Sequence, residues 1–252
     1  MKKTTSLVCL IACTFILGTT FIAQDTGMDK IGPLTFNATR FFVGFLSIIP
    51  FALLIEKKKI FKEINNNKKL FFKLLFWIGL FLFLGTYLQQ TALLYTDVAN
   101  AAFFTIFYVP MVPIILFFIY SKSIHWSIWP SVIFCVFGVY LLSDFSDATI
   151  RLGDGLVILC ALFWALHIIF IGNFAKSFNL PLFFGALQAL VVSFFSFIFA
   201  IFIETITIAN ILNESVSIIY AGVLSGGIAF TLQIYAQKNI SCLLYTSDAA
   251  DE

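Results

Sequence analysis

Charged and turn-forming breaks divide the 252-residue chain into runs of about 20 apolar residues, the length a helix needs to cross the hydrocarbon core of a bilayer. Eight runs are read, at 5–24, 34–55, 71–90, 98–120, 126–143, 153–173, 182–203 and 216–236. The breaks include "DTGMDKIGP", "EKKKIFKEINNNKK", "SDFSDATIRLGD" and "ETITIANILNES", all rich in turn and charge signals. In lipid every backbone N–H and C=O must be paired within its own segment, so these spans are expected as helices. Composition agrees: 61% of residues are hydrophobic, 11% are charged and the mean hydropathy is +1.01. A soluble domain carries about a quarter charged residues and has no core large enough to hide this much apolar surface. The expected class is an all-α integral membrane protein.

The distribution of lysine and arginine gives an orientation. With the N-terminus in the cytoplasm and the spans alternating, the clusters at Lys2–Lys3, Lys57–Lys59, Lys62, Lys68–Lys69 and Lys73 fall inside, with Lys122, Lys176 and Lys238. Only Lys30 and Arg151 fall outside, and Arg40 lies within a span. "LIAC", ending at Cys13, has the look of a lipoprotein cleavage box, but the apolar run continues to Ala23 and its removal would spoil this alternation. The first span is therefore expected to stay.

Several function classes find no support. The net charge of +2 suggests no nucleic-acid partner, and the five cysteines form no metal-spaced set. There is no Ser/His/Asp arrangement, HExxH or paired carboxylate that would make an enzyme, and no GxxxxGK[ST] for ATP drive. No cofactor is implied.

The two halves repeat. "GPLTFNATRFFVGF" at 32–45 lines up with "NLPLFFGALQALVVSF" at 179–194, which sets Pro33 on Pro181, Asn37 on Gly185 and Arg40 on Gln188. Thr20 falls on His167, and Gln89 on Gln233. The first unit has five spans, an odd number, so the copies point in opposite directions across the membrane. That is the inverted repeat of secondary transporters, whose substrate site lies between the repeats near the midplane. The expected units are 5–143, with five spans, and 153–239, with three.

The stretches "TTFIAQDTGMDKIGPLTFNATRFFVG", "NAAFFTIFYVPMVPI", "GVYLLS", "GDGLVILCALFWALHIIFIGNFA" and "GGIAFTLQIYAQK" resemble the EamA family of the drug/metabolite transporter superfamily. The resemblance covers nearly all of residues 5–239, with Leu17 standing where the family often has tryptophan. It implies ten helices in two inverted five-helix units in a bacterial inner membrane, eight of them visible here. It also implies alternating-access transport, as an exporter, of small polar metabolites such as amino acids. The alternative is a non-transporting membrane scaffold or a degenerate, inactive fragment. The expected partners are a small-molecule substrate, the bilayer and a second copy in a homodimer. Where the family continues into further spans, this chain has "SCLLYTSDAADE", which resembles translated adapter sequence, and residues 240–252 are expected to be a non-native tail.

The candidate substrate-binding residues are Thr20, Asn37, Arg40, Gln89, Tyr108, His167, Gln188 and Gln233. Arg40 stands six residues into its span, where a charge is costly and normally faces the bundle interior or water. Asn37, Arg40, Gly44 and Ser47 share one helix face. Arg40 either grips a carboxylate or phosphate from that face, or snorkels and ties neighbouring carbonyls. The glutamines either line the site or bond between helices. His167 either relays protons or is a neutral histidine bonded to a neighbour. The stripe Gly222, Ser225, Gly226, Ala229 and Gln233 reads as close helix packing. Pro110 and Pro113 are expected to kink the fourth span, either freeing the carbonyls of Ile106 and Val109 to face a cavity or simply bending the helix for packing.

Overall fold

The computed structural model describes residues 2–119, 121, 126, 129–130, 133–134, 137 and 151–240. The described residues form helices and connections, with no strand. The helices are α1 (Lys2–Thr26), α2 (Pro33–Ile55), α3 (Lys57–Asn66), α4 (Lys68–Ala92), α5 (Val98–Thr105), α6 (Tyr108–Phe118), α7 (Leu152–Ser177), α8 (Pro181–Ile203), α9 (Ile208–Asn213), α10 (Ser215–Ala221) and α11 (Phe230–Gln237). A π-helical segment, π1 (Gly222–Ala229), joins α10 to α11. Seven helical stretches among the described residues are long and apolar enough to span a membrane, and they coincide with seven of the eight expected runs. The eighth, 126–143, lies largely outside the described residues, as do 241–252.

The antiparallel pair α2 and α8 makes the most extensive helix contact. Each starts with proline, whose missing N–H costs nothing in the first turn. Each is capped by a carboxylate from the far end of the other. Glu204 follows α8 and accepts from Leu34 N and Thr35 N, both at 2.8 Å, and from Thr35 Oγ1 at 2.7 Å. Glu56 follows α2 and accepts from Leu182 N at 3.1 Å and Phe183 N at 2.8 Å. The remaining contacts obey the same exchange. The third span of the first unit, α4, lies on the first of the second, α7, while α1 lies on α10, π1 and α11.

Polar contacts close the two ends of this bundle. At one end Glu63 accepts from Asn179 N at 2.9 Å and Lys238 Nζ donates to Asn179 at 2.6 Å. At the other, Thr96 Oγ1 donates to Asp154 at 2.6 Å and the exposed Arg151 pairs with Asp97. Near the first end Phe71 stands edge-on to Phe174, Phe178 and Phe184, within 6.0 Å of each.

Two expectations need correction. The lysine-rich break at 56–69 is not a plain turn: 57–66 form α3, whose Ile60 and Ile64 share one face and pack on the aromatic cluster. The charged face of that helix hid its short apolar stripe. In the fourth span the helix breaks at Ile106–Phe107, a turn before Pro110. The Ile106 carbonyl is not freed into a cavity, because it accepts Val109 N at 2.9 Å in a tightened turn.

Glycines set the closest helix approach. A Cβ at Gly222 would lie 2.5 Å from the Arg40 carbonyl oxygen, and one at Gly44 would lie 2.7 Å from the Gly226 backbone. The small-residue stripe is thus the packing face that brings π1 against α2 beside Arg40.

Candidate functional site

A cavity of about 290 Å³ lies between the two units. Its wall takes residues from α1, α2, α4, the α5–α6 break, α7, π1 and α11. Among the described residues Arg40 is the one charged side chain in that wall. Around it are neutral polar groups, among them Gln24, Thr86, Gln89, Thr105, Ser225 and Gln233, and apolar ones such as Leu17, Phe21, Trp164, Ile168 and Phe230. A larger groove of about 670 Å³ runs along α1 past Leu7, Ile11 and Phe15 to Ile240, but no charged side chain among the described residues lines it.

Arg40 is held in a fixed pose. It is 2% exposed. Its Nε donates to Asn37 Oδ1 at 2.8 Å, and Asn37 Nδ2 donates in turn to the Thr86 carbonyl at 3.2 Å. The guanidinium lies 4.8 Å from the Phe41 ring centroid and 5.5 Å from that of Phe36, within cation–π range. No carboxylate pairs with it among the described residues. The fork end of the guanidinium, with Nη1 and Nη2, is the edge that binds a planar anion through two parallel hydrogen bonds.

Of the eight residues singled out in the sequence, four line this cavity: Arg40, Gln89, Tyr108 and Gln233. Gln89 Nε2 donates to Thr105 Oγ1 at 3.0 Å across to α5. The other four stand behind the wall. Asn37 is fully buried and positions Arg40. Thr20 Oγ1 donates to the Leu17 carbonyl of its own helix at 2.8 Å. His167 Nε2 and Gln188 Oε1 lie 3.3 Å apart, both fully buried. Trp164 and Phe230, stacked at 5.7 Å, stand edge-on to the imidazole. Pro110 and Pro113 lie within the turns of α6 that follow the break.

The repeat is therefore unequal at its centre. The positions aligned with Thr20 and Arg40 are His167 and Gln188, which meet each other through Nε2 and Oε1 and leave His167 Nδ1 and Gln188 Nε2 without a partner, whereas Arg40 lines the cavity. Gln24, Trp164, Ser225 and Phe230 line the cavity and were not singled out. Gln24 closes an otherwise apolar run and carried a signal; the two aromatics were indistinguishable from the many others.

Comparison with known proteins agrees with this architecture. The model of the EamA-like transporter family matches residues 4–144 and 151–244. A protein of Archaeoglobus fulgidus described as an "uncharacterized transporter" is 32% identical over 190 residues, 75% of this chain and 56% of the relative. The chain thus spans about half the length of that curated relative. A crystal structure of a protein with 15% identity superposes with a TM-score of 0.67 over 93% of this chain and 79% of its own, a likeness of fold.

Proposed function

The chain belongs to the EamA-like transporter family, and from that premise we propose that it serves as a secondary transporter of small polar metabolites such as amino acids or related compounds. The observation that carries this reading is Arg40, buried without a carboxylate partner among the described residues, in a cavity between two inverted units. A lone charge at that depth is costly unless it serves a ligand or a pathway. Rocking of one unit against the other around the cavity gives alternating access.

The proposed location is a bacterial inner membrane with the N-terminus in the cytoplasm. The end carrying Lys57–Lys59, Lys62, Lys68 and Lys238 is the more basic and is assigned to the inside. Outward transport is the proposed direction.

The test is counterflow in proteoliposomes holding the full chain, with a labelled mixture of the twenty amino acids and their α-hydroxy and α-keto acids. Saturable exchange, lost in Arg40→Ala, is the expected result. No exchange above protein-free vesicles for any member of the mixture would overturn the reading.

A further inference from the structure

Resting on the transport reading and narrowing its substrate class, we propose that the cavity selects small monocarboxylates of net charge −1 bearing a hydroxyl, over zwitterions and phosphates.

The argument begins with charge. Among the described residues the wall holds one cation, Arg40, and no Asp or Glu. A ligand with a single negative charge leaves the loaded cavity neutral. A zwitterion brings its own ammonium to a wall in which no described residue is anionic, and it leaves the guanidinium charge uncancelled. A desolvated charge without a partner is expensive in such a place. A phosphomonoester carries about −1.5 to −2 at pH 7, more than one arginine neutralises.

Geometry agrees. Asn37 Oδ1 occupies Nε, and Phe36 and Phe41 flank the guanidinium. The free edge is the pair Nη1 and Nη2, which matches the two oxygens of a carboxylate end-on.

The hydroxyl follows from two unpartnered side-chain amides. Gln24 and Gln233 line the cavity at 3% and 8% exposure, and Oε1 of each is shut away in the wall without a partner, which leaves the Nε2 donors to the cavity. A buried donor left without an acceptor is costly. A ligand hydroxyl oxygen supplies an acceptor, whereas the hydrocarbon chain of an unsubstituted acid does not, nor does an ammonium. The remaining wall, from Leu17, Phe21, Ile168 and Phe230, is apolar and suits a hydrocarbon body.

The test is calorimetric titration of the full chain in detergent at pH 7. The probes are 2-hydroxyisocaproate, leucine, 4-methylpentanoate and inorganic phosphate. Leucine and the hydroxy acid share one skeleton and differ by ammonium against hydroxyl. The hydroxy acid is expected to bind at least tenfold tighter than leucine and severalfold tighter than 4-methylpentanoate, with phosphate weakest. Leucine or phosphate binding as tightly as the hydroxy acid overturns the proposal. Arg40→Gln is expected to abolish the preference for anions. Should that variant fail to fold, Gln24→Leu and Gln233→Leu keep Arg40: they are expected to retain acid over leucine while losing hydroxy acid over 4-methylpentanoate. A hydroxyl advantage that survives in both overturns the proposal. Selective anion binding without any flux in vesicles sustains this inference and defeats the transport reading; flux of leucine without discrimination does the reverse.

Discussion

Glu56 and Glu204 each end one helix of the antiparallel pair α2 and α8, and each caps the first turn of the other. The two helices are thus closed at both ends by the same device, applied once per repeat. Both carboxylates stand 23 residues after the proline that opens their own helix. An anion at a helix N-terminus satisfies free N–H groups and complements the helix dipole.

Glu204→Ala and Glu56→Ala are each expected to cost about 1–2 kcal/mol, as caps made by charged groups do. Glu204→Ala is expected to cost more, because Glu204 also accepts from Thr35 Oγ1. The sites lie about 35 Å apart along the pair, so the double variant is expected to be additive within about 0.5 kcal/mol. Unfolding of the purified protein in detergent measures all three. Strong coupling would mean that the caps report on one shared rearrangement.

The Glu56 carboxyl also predicts a pH dependence. Burial raises its pKa above the ordinary 4.5, and the charge of Glu63 adds to this, while the N–H groups of Phe183 and Leu182 and the charge of Lys59 pull it back. The folded state therefore holds this proton more tightly than the unfolded state. Its contribution is fully present below about 4.5 and is lost as pH rises through the raised value. The stability of wild type minus that of Glu56→Gln is expected to fall across that window and level off above it. Parallel curves in denaturant titrations between pH 4 and pH 8 would contradict this.

Much of this architecture is legible in the sequence, because span length and proline-led repeats are dictated by the bilayer and by helix starts. Arg40 is legible for the same reason: a charge inside an apolar run has few places to go. The reciprocal caps were in view as two equal Pro-to-Glu spacings, but a carboxylate at a span end looks solvated until its partner helix is placed. The role of Asn37 was hidden because i, i+3 spacing shows which residues meet without showing which one faces the cavity. No local signal distinguishes Trp164 and Phe230 from the other aromatics.

Asn37→Asp is expected to neutralise the site from within. The new carboxylate would take the place of Oδ1, 2.8 Å from Arg40 Nε, and cancel the charge offered to a ligand. Binding of 2-hydroxyisocaproate is expected to weaken at least tenfold, about 1.4 kcal/mol. Asn37→Ala keeps the charge and loses only its orientation, so the loss there is expected to be smaller. Calorimetry on both variants checks the order, and equal losses would show that Asn37 acts by shape alone.

Gly222→Ala is expected to destabilise by about 1–3 kcal/mol, the usual cost of overpacking, because the added carbon would meet the Arg40 carbonyl at 2.5 Å. Gly155→Ala is the control: nothing lies within 4 Å of its Cβ position, and alanine is favoured over glycine in a helix by up to about 1 kcal/mol. Thermal unfolding of both variants is expected to move in opposite directions.

The His167–Gln188 pair tests whether the second repeat has lost a site that the first one keeps. The two side chains answer each other at 3.3 Å behind Trp164 and Phe230, and neither lines the cavity. His167→Leu leaves the Gln188 amide buried without that partner, which is expected to cost about 1–3 kcal/mol. Replacing both residues by leucine removes the unsatisfied group, so the double variant is expected to recover most of that loss. A proton relay predicts otherwise: the double variant would be stable and silent in flux. If stability recovers and counterflow is unchanged, the pair is internal packing, and the inverted repeat keeps its polar centre in one half only.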